Sequence, residues 1–485
     1  MRDINISKLN KKVLLFSPKP LLLLIFCLAV SFSKTLAQKL DTIYPVPTPQ
    51  QIAWYDLEFY LFVHFGPNTF SGMEWGKGTE NPDIFNPTEF NPAQWASIAK
   101  NAGAKGIIIT AKHHDGFCLF PSEFSKHTVR ESAWRDGKGD VLKDLSEALK
   151  KEGLLMGVYI SPWDRNHPLY GTEEYNTIFL NTMKEVIDNY GPFFEMWWDG
   201  ANGEGPNGKK QEYDFRAFEN AMRKWAPNTV IFSDIGPDVR WIGNEKGIAG
   251  STNWALLDTA GFKRGEGSPP LDTLNQGNKY GKHFIPGEAD VSIRPGWFYH
   301  AKEDDKVKTG EELFELYLKS VGRNANFLLN VPPDQRGLFH ANDSAALMDF
   351  KKIKDEFFKE NLIRNAFLKT NSAMQGYPVS NLADENRTSF WLPSKKDPSW
   401  EIEIEFPVPG NVKSVVLQEY IELGQRIAAF SIYGSENGKD YTLIEKGTTV
   451  GYKRIFKFDP LRLKSVKIVI EESKSFPVLS ELAVY

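Results

Sequence analysis

From Tyr55 to about Val331 the chain repeats one texture: a short apolar run, then a longer stretch whose apolar positions recur every three or four residues. The runs are Leu61 to Gly66, Ile107 to Thr110, Leu154 to Ser161, Phe193 to Trp198 and Thr229 to Ser233. Runs this short, apolar at successive positions, predict strands buried on both faces, as in a parallel sheet. The stretches between them read as amphipathic helices with clear punctuation. One has Asn91 as N-cap, Pro92 at its first position, an inner face of Trp95, Ile98, Ala99 and Ala102, and Gly103 as its stop. Another carries Leu142, Leu145, Ala148 and Leu149 on one face and stops at Gly153.

Strand and helix alternating over this length predict an α/β fold, either a (β/α)₈ barrel like that of TIM or a doubly wound sheet. The barrel is favoured for two reasons. No Gly-x-Gly-x-x-Gly follows the first strand, and the polar residues that interrupt the apolar runs fall at strand C-terminal ends: His64, His113 with His114, Tyr159 and Asp199. Strands beyond Ser233 have no clear pattern until Asn326 to Pro333, and Gly261 to Gly281 reads as long loops. A connecting helix follows over residues 343–364, with Asp343 as N-cap and Leu347, Phe350 and Ile353 inward. From residue 365 to 485 the period changes to two, as in Glu401-Ile402-Glu403-Ile404-Glu405-Phe406, with turn signals such as Glu436-Asn437-Gly438-Lys439. That predicts a C-terminal antiparallel β-sandwich behind a barrel spanning residues 38–342.

Residues 1–37 belong to neither domain. Lys8, Lys11, Lys12 and Lys19 precede an apolar run from Leu21 to Phe32, and Ala37 supplies the small residue before a cleavage point, which reads as a secretory signal. The run is too short for a transmembrane helix, so no stable membrane insertion is expected, and the mature chain is placed outside the cell or in a periplasm. Its removal takes six basic residues and one acidic, leaving 52 Lys and Arg against 61 Asp and Glu. Nucleic acid is therefore excluded as a partner. Cys27 leaves with the signal; Cys118, set in Gly-Phe-Cys-Leu-Phe, reads as a buried inert thiol.

A barrel whose strand ends offer carboxylates, histidines and aromatic rings suits glycoside hydrolysis, which needs two carboxyl groups and many partners for hydroxyls. The segments Leu61 to Gly66, Glu74-Trp75, Ala111 to Phe117, Gly157 to Ser161, Trp197 to Gly200 and Asn326 to Pro333, in this order, resemble the α-L-fucosidases of glycoside hydrolase family 29. The resemblance implies a retaining exo-enzyme acting on fucosylated oligosaccharides or glycoproteins, with no cofactor for catalysis. Asp199 would be the nucleophile and a second carboxyl the acid and base. Glu245 resembles that acid in the branch acting on α-1,3 and α-1,4 linkages; Glu288 is its rival, with a substrate-holding role otherwise.

The same resemblance implies a sugar pocket of His64, Glu74, Trp75, His113, His114, Tyr159, Trp197 and Trp297, and Arg240 orients a carboxylate or a substrate oxygen. Adjacent His113 and His114 point to opposite faces within a regular strand, so both reach a pocket only where the strand ends. That geometry, with no His-x-x-x-His or Cys partner, argues against zinc. The C-terminal segment resembles discoidin-like coagulation-factor type C modules, with Asn381 to Trp391 as the loop that often wraps a structural calcium ion, here near Asp384, Asn386 and Thr388; Phe390 is an insertion relative to that pattern. A retaining enzyme on a similar sugar such as α-D-galactose, or a glycan-binding protein without catalysis, are the alternatives.

Overall fold

The computed structural model describes residues 40–265, 269–394 and 399–485, so the expected secretory signal with Cys27 lies outside the described residues. Eight parallel strands close a barrel: β1 (Phe59–Val63), β2 (Gly106–Lys112), β3 (Leu155–Ile160), β4 (Glu195–Trp197), β5 (Val230–Ser233), β6 (Val239–Trp241), β7 (Gly287–Ser292) and β8 (Ala325–Asn330). Each pairs with its neighbours in sequence, and β8 returns to β1 with Phe59 opposite Phe327. The (β/α)₈ expectation holds.

The helices start and stop where their caps dictate. Asn91 Oδ1 accepts the Gln94 N–H at 3.2 Å and opens α1 (Pro92–Asn101), a cap contributing about 1 kcal/mol. Asp140 caps α2 (Val141–Glu152), and Gly153 ends it at φ +72°, a conformation that costs glycine no Cβ clash. Both helices lay their apolar faces on the outer side of the strands, so Trp95, Ala99, Leu142, Leu145 and Leu149 join the main core with Ile107, Ile109 and Val158.

One cap differs from expectation. The connecting helix α3 is Ala341–Phe357, with His340 as its N-cap; Asp343 lies in its first turn and is wholly buried. Asp343 is held instead by Arg294, whose Nε lies 3.0 Å from both carboxylate oxygens. Burial outweighs that guanidinium and raises the Asp343 pKa to about 6.

The C-terminal domain is an antiparallel sheet of six strands built on two long ones, Trp400–Glu419 and Arg454–Ser473, each 20 residues. Bulges between Glu405 and Gly410 and between Val412 and Ser414 bend the pair, and alternate side chains such as Ile402, Ile404, Val466, Ile468 and Ile470 fill a separate core.

This domain meets the barrel at the N-terminal ends of its strands. Tyr55 stacks on Tyr452 with ring centroids 4.7 Å apart. Glu58, just before β1, pairs with Lys453, and Asn324, just before β8, accepts the Tyr452 N–H at 2.8 Å. The opposite, C-terminal end of the barrel is left to the functional side chains.

Candidate active site

The C-terminal rim of the barrel encloses a cavity of about 170 Å³ lined by Phe62, His64, Glu74, Trp75, His113, His114, Tyr159, Trp197, Asp199, Ala201, Glu245, Asp290 and Trp297. Ten of the twelve residues singled out in the sequence meet there; Arg240 and Glu288 do not. Strand β2 ends at Lys112, which frees His113 and His114 from alternation, and both rings enter the cavity 4.2 Å apart.

Asp199 follows β4 by two residues. Its Oδ1 accepts the Ala201 N–H at 2.8 Å, and its Oδ2 accepts the Tyr159 hydroxyl at 3.1 Å with His114 Nε2 at 3.6 Å. The Tyr159 and Ala201 donors fix the carboxylate and still leave about a quarter of the side chain exposed. Gly200 gives room to the neighbouring Asp234, since a Cβ there would stand 1.7 Å from Asp234 Oδ2. Burial, then the charge of Asp199, pushes the Asp234 pKa up to about 7.

The histidines are held neutral. Burial lowers His64 to about 4 and depresses His113 and His114 as well, although the Asp199 charge opposes the shift at His114. Their tautomers follow from their partners. Asn330 spends its amide N–H groups on Ser292 Oγ and Trp297 O, so its Oδ1 accepts from His64 Nδ1 at 2.8 Å. Ser161 gives its hydroxyl proton to Trp163 O and accepts from His114 Nδ1 at 2.7 Å. Each Nε2 is thereby left as an acceptor, the group needed to take a sugar hydroxyl proton. His113 Nδ1 is buried with no protein partner.

Glu245 stands on the loop after β6, exposed at the cavity mouth, where its Oε2 accepts the Trp297 indole N–H at 3.2 Å. Glu74 positions that tryptophan in turn: its Oε2 accepts the Trp297 backbone N–H at 2.8 Å and its Oε1 lies 2.6 Å from His300 Nε2. Trp197 stacks on Phe232 at 3.9 Å and on Tyr159 at 5.3 Å. Trp75, 58% exposed, stands edge-on to His114 and Trp163 at the entrance.

Glu288, the rival for the acid, lies deep in the barrel and does not line the cavity. It accepts from Tyr60 Oη and, at 2.8 Å, from Trp197 Nε1, fully buried beside Glu195, which takes the Trp54 indole N–H at 3.0 Å. Arg240 faces away from the barrel interior, because Val239 points in and alternation turns its neighbour out. It is fully buried and donates to Leu274 O, Ile285 O, Asn253 Oδ1 and Trp254 O, so it orients neither a carboxylate nor a sugar. Asp290 and Asp234 were missed. The signal for Asp290 was its place two residues after Glu288, on the same face and nearer the strand's C-terminal end.

No group of three or more His, Cys, Asp or Glu side chains suited to a metal occurs among the described residues. In the sandwich, Asp384 accepts the Asn386 N–H at 2.9 Å and the Ser389 hydroxyl at 2.6 Å, and Asn386 Oδ1 accepts the Thr388 hydroxyl at 2.7 Å. Glu481 is raised to about 7 by burial and then by the charges of Asp384 and Glu385, so negative charge gathers beside this loop, whose Asp384 and Asn386 oxygens already accept from donors of the loop itself.

Comparison with known proteins is consistent across the chain. The family model described as alpha-L-fucosidase matches residues 42–353, and that described as F5/8 type C domain matches residues 368–482. The chain is 42% identical over 451 residues to Alpha-L-fucosidase 1 of Arabidopsis thaliana, covering 91% of this chain and 88% of that protein. The crystal structure of SpGH29 superposes with a TM-score of 0.87 at 37% identity, covering 92% of this chain and 99% of the other. A Ruminococcus gnavus GH29 fucosidase in complex with fucose gives a TM-score of 0.84 at 31% identity, covering 93% and 96%.

Proposed function

We infer the chemistry from one premise: the chain belongs to the α-L-fucosidase family of glycoside hydrolases, family 29, and carries a discoidin-like F5/8 type C domain behind its catalytic barrel. It is an α-L-fucosidase acting on fucosylated glycans. Our reading of its mechanism is a double displacement that retains anomeric configuration. Asp199 attacks the anomeric carbon and forms a fucosyl-enzyme, while Glu245 protonates the departing glycosidic oxygen. Glu245 then takes a proton from water, whose oxygen attacks the same carbon and frees Asp199.

The observation that carries this reading is that the two carboxyls share one small cavity from different elements, with Asp199 held at its inner end by Tyr159 and Ala201 and Glu245 exposed at its mouth. A leaving group has to depart through the mouth, so an acid belongs there. A cavity of 170 Å³ supports removal of one terminal sugar, and its acceptor nitrogens on His64 and His114 suit fucose hydroxyls. Preference for α-1,3 and α-1,4 linkages rests on the likeness of the Asp238 to Glu245 segment to that branch of the family.

Two further proposals accompany it. The chain acts outside the cytoplasm, supported by the signal-like residues 1–37. A calcium ion held at Asp384, Asn386 and Thr388 would supply the positive charge that lets Glu481 ionise within the sandwich.

Glu245→Ala tests the acid. On fucosylated oligosaccharides kcat/KM should fall about 10²- to 10⁴-fold, whereas nitrophenyl α-L-fucoside, whose leaving group needs little protonation, should be turned over much better and accelerated by azide. Equal losses on both substrates with no azide effect would assign the acid elsewhere. A panel of fucosylated trisaccharides differing only in linkage tests the preference.

A further inference from the structure

Asp290 lines the catalytic cavity, is 4% exposed, and has no role in the mechanism above. Its strand also braces the loop that carries Glu245: the Gly247 N–H donates to Asp290 O at 3.0 Å and Lys246 bridges to Val291, which pins that loop beside Asp290. Its carboxyl takes the Trp241 indole N–H at 3.0 Å on Oδ1, and a hydrogen bond from its own backbone also favours the ionised form. The charged and titratable groups around it are Glu245 on the loop after β6, Glu288 on its own strand, and across the cavity Asp199, Glu74 and the neutral histidines. No Lys or Arg lines this cavity among the described residues.

We propose that Asp290 is a positioning residue for the acid: Asp290 and Glu245 act as one pair that holds a single proton at the working pH and delivers it from Glu245. The inference rests on the assignment of Glu245 as the acid and base. Two carboxyls that share a site cannot both ionise cheaply, because removal of the last proton leaves adjacent anions without a cation to offset them. The pair therefore keeps that proton to a higher pH than a lone carboxyl would. Burial, and then the Glu245 and Glu288 charges, raise Asp290 well above the usual carboxylate range, in agreement with the geometry. In the first half of the reaction the proton passes from Glu245 to the glycosidic oxygen as the C–O bond breaks. In the second half water returns a proton to Glu245 as its oxygen bonds to the anomeric carbon. Asp290 touches neither sugar atom; its charge makes Glu245 a better base for the second half.

The pH dependence of kcat/KM separates this role from a structural one. Asp290→Asn keeps the acceptor for Trp241 and removes the charge. On a fucosyl disaccharide its basic limb should move down by about one pH unit, a tenfold loss near pH 7.5, while the plateau near pH 5 stays within threefold. Trp241→Phe removes the side-chain donor that favours ionised Asp290, so its limb should move up. An unmoved limb in Asp290→Asn, an equal loss at every pH, or a downward shift in Trp241→Phe overturns the inference. Should Asp290→Asn fail to fold, Trp241→Phe alone reads the sign. Azide rescue of Glu245→Ala is scored separately: if it fails, the acid assignment falls, and if it succeeds with unmoved limbs, Asp290 alone is misassigned.

Discussion

Two groups of carboxyls occupy the same barrel at different depths. Glu195 and Glu288 sit inside it, fully buried among Trp54, Tyr60 and Trp197, which donate to them. Asp199 and Glu245 stand at the rim, one partly and one well exposed, around a cavity. In the inner pair, burial and then the Glu288 charge raise Glu195 well above its usual range, and burial pushes Glu288 to about 7. A disturbed titration is common at catalytic groups, yet here it also marks groups that no substrate can reach. Access is what separates the pairs. The inner one is a buried polar network that shares a proton; the rim one faces a space that a sugar can enter.

Removal of Asp199 is the hardest test of that distinction. Asp199→Asn keeps the size of the side chain and its Ala201 and Tyr159 neighbours but not the proposed nucleophile, and kcat on any fucoside should fall by about 10⁴-fold or more with Tm unchanged or raised. A comparable loss from an inner-pair variant would break the comparison.

The next test moves the nucleophile without removing it. Gly200→Ala places a methyl on the Asp234 carboxyl, 1.7 Å from Oδ2, so either the Asp234 side chain or the turn that carries Asp199 has to shift, and the variant reads which. A displacement of about 1 Å at a reacting group costs on the order of 10²-fold, and kcat should fall accordingly. The double variant Gly200→Ala with Asp234→Gly restores the room and should regain at least tenfold of that loss. If Gly200→Ala is fully active, the close approach does not position Asp199.

Legibility in the sequence followed burial pattern. Strands β1 to β5 are apolar runs because both faces are covered, and they were readable. Strand β6 has three residues with an arginine in the middle, and β7 reads Gly-Glu-Ala-Asp-Val-Ser, so neither shows an apolar run. Their side chains serve polar purposes: Arg240 ties down carbonyls outside the barrel, and Glu288 and Asp290 point within. In the site, Asp199 and the histidines were legible because they break apolar runs at strand ends. The depth of Glu288 was not, because sequence gives which face a strand residue takes and leaves open how far along the axis it sits. Asp234 was invisible for a related reason, since its contact with Gly200 joins the ends of two neighbouring strands.

The smallest expected effect lies in the inner pair, and its sign is definite. Glu288 titrates near 7 in the folded barrel against an ordinary 4.5, so the folded state binds more protons than the unfolded chain between those values. Its contribution to stability is therefore complete below about pH 4.5 and is lost as pH rises through 7, on the order of 2–3 kcal/mol. Glu288→Gln keeps an acceptor for Tyr60 or Trp197 and cannot ionise, so the difference in Tm between variant and wild type should grow in the variant's favour by a few degrees from pH 5 to pH 8. Any fixed cost of the amide cancels in that difference, as do contributions from other raised carboxyls such as Asp343 and Glu419. Activity per folded molecule should stay within about tenfold, because Glu288 lines no part of the sugar site and acts on it through Trp197 and through its charge on Asp290. Parallel Tm curves would mean that the inner pair is already ionised, and with it would go the contrast between a sealed proton-sharing pair and an accessible catalytic one.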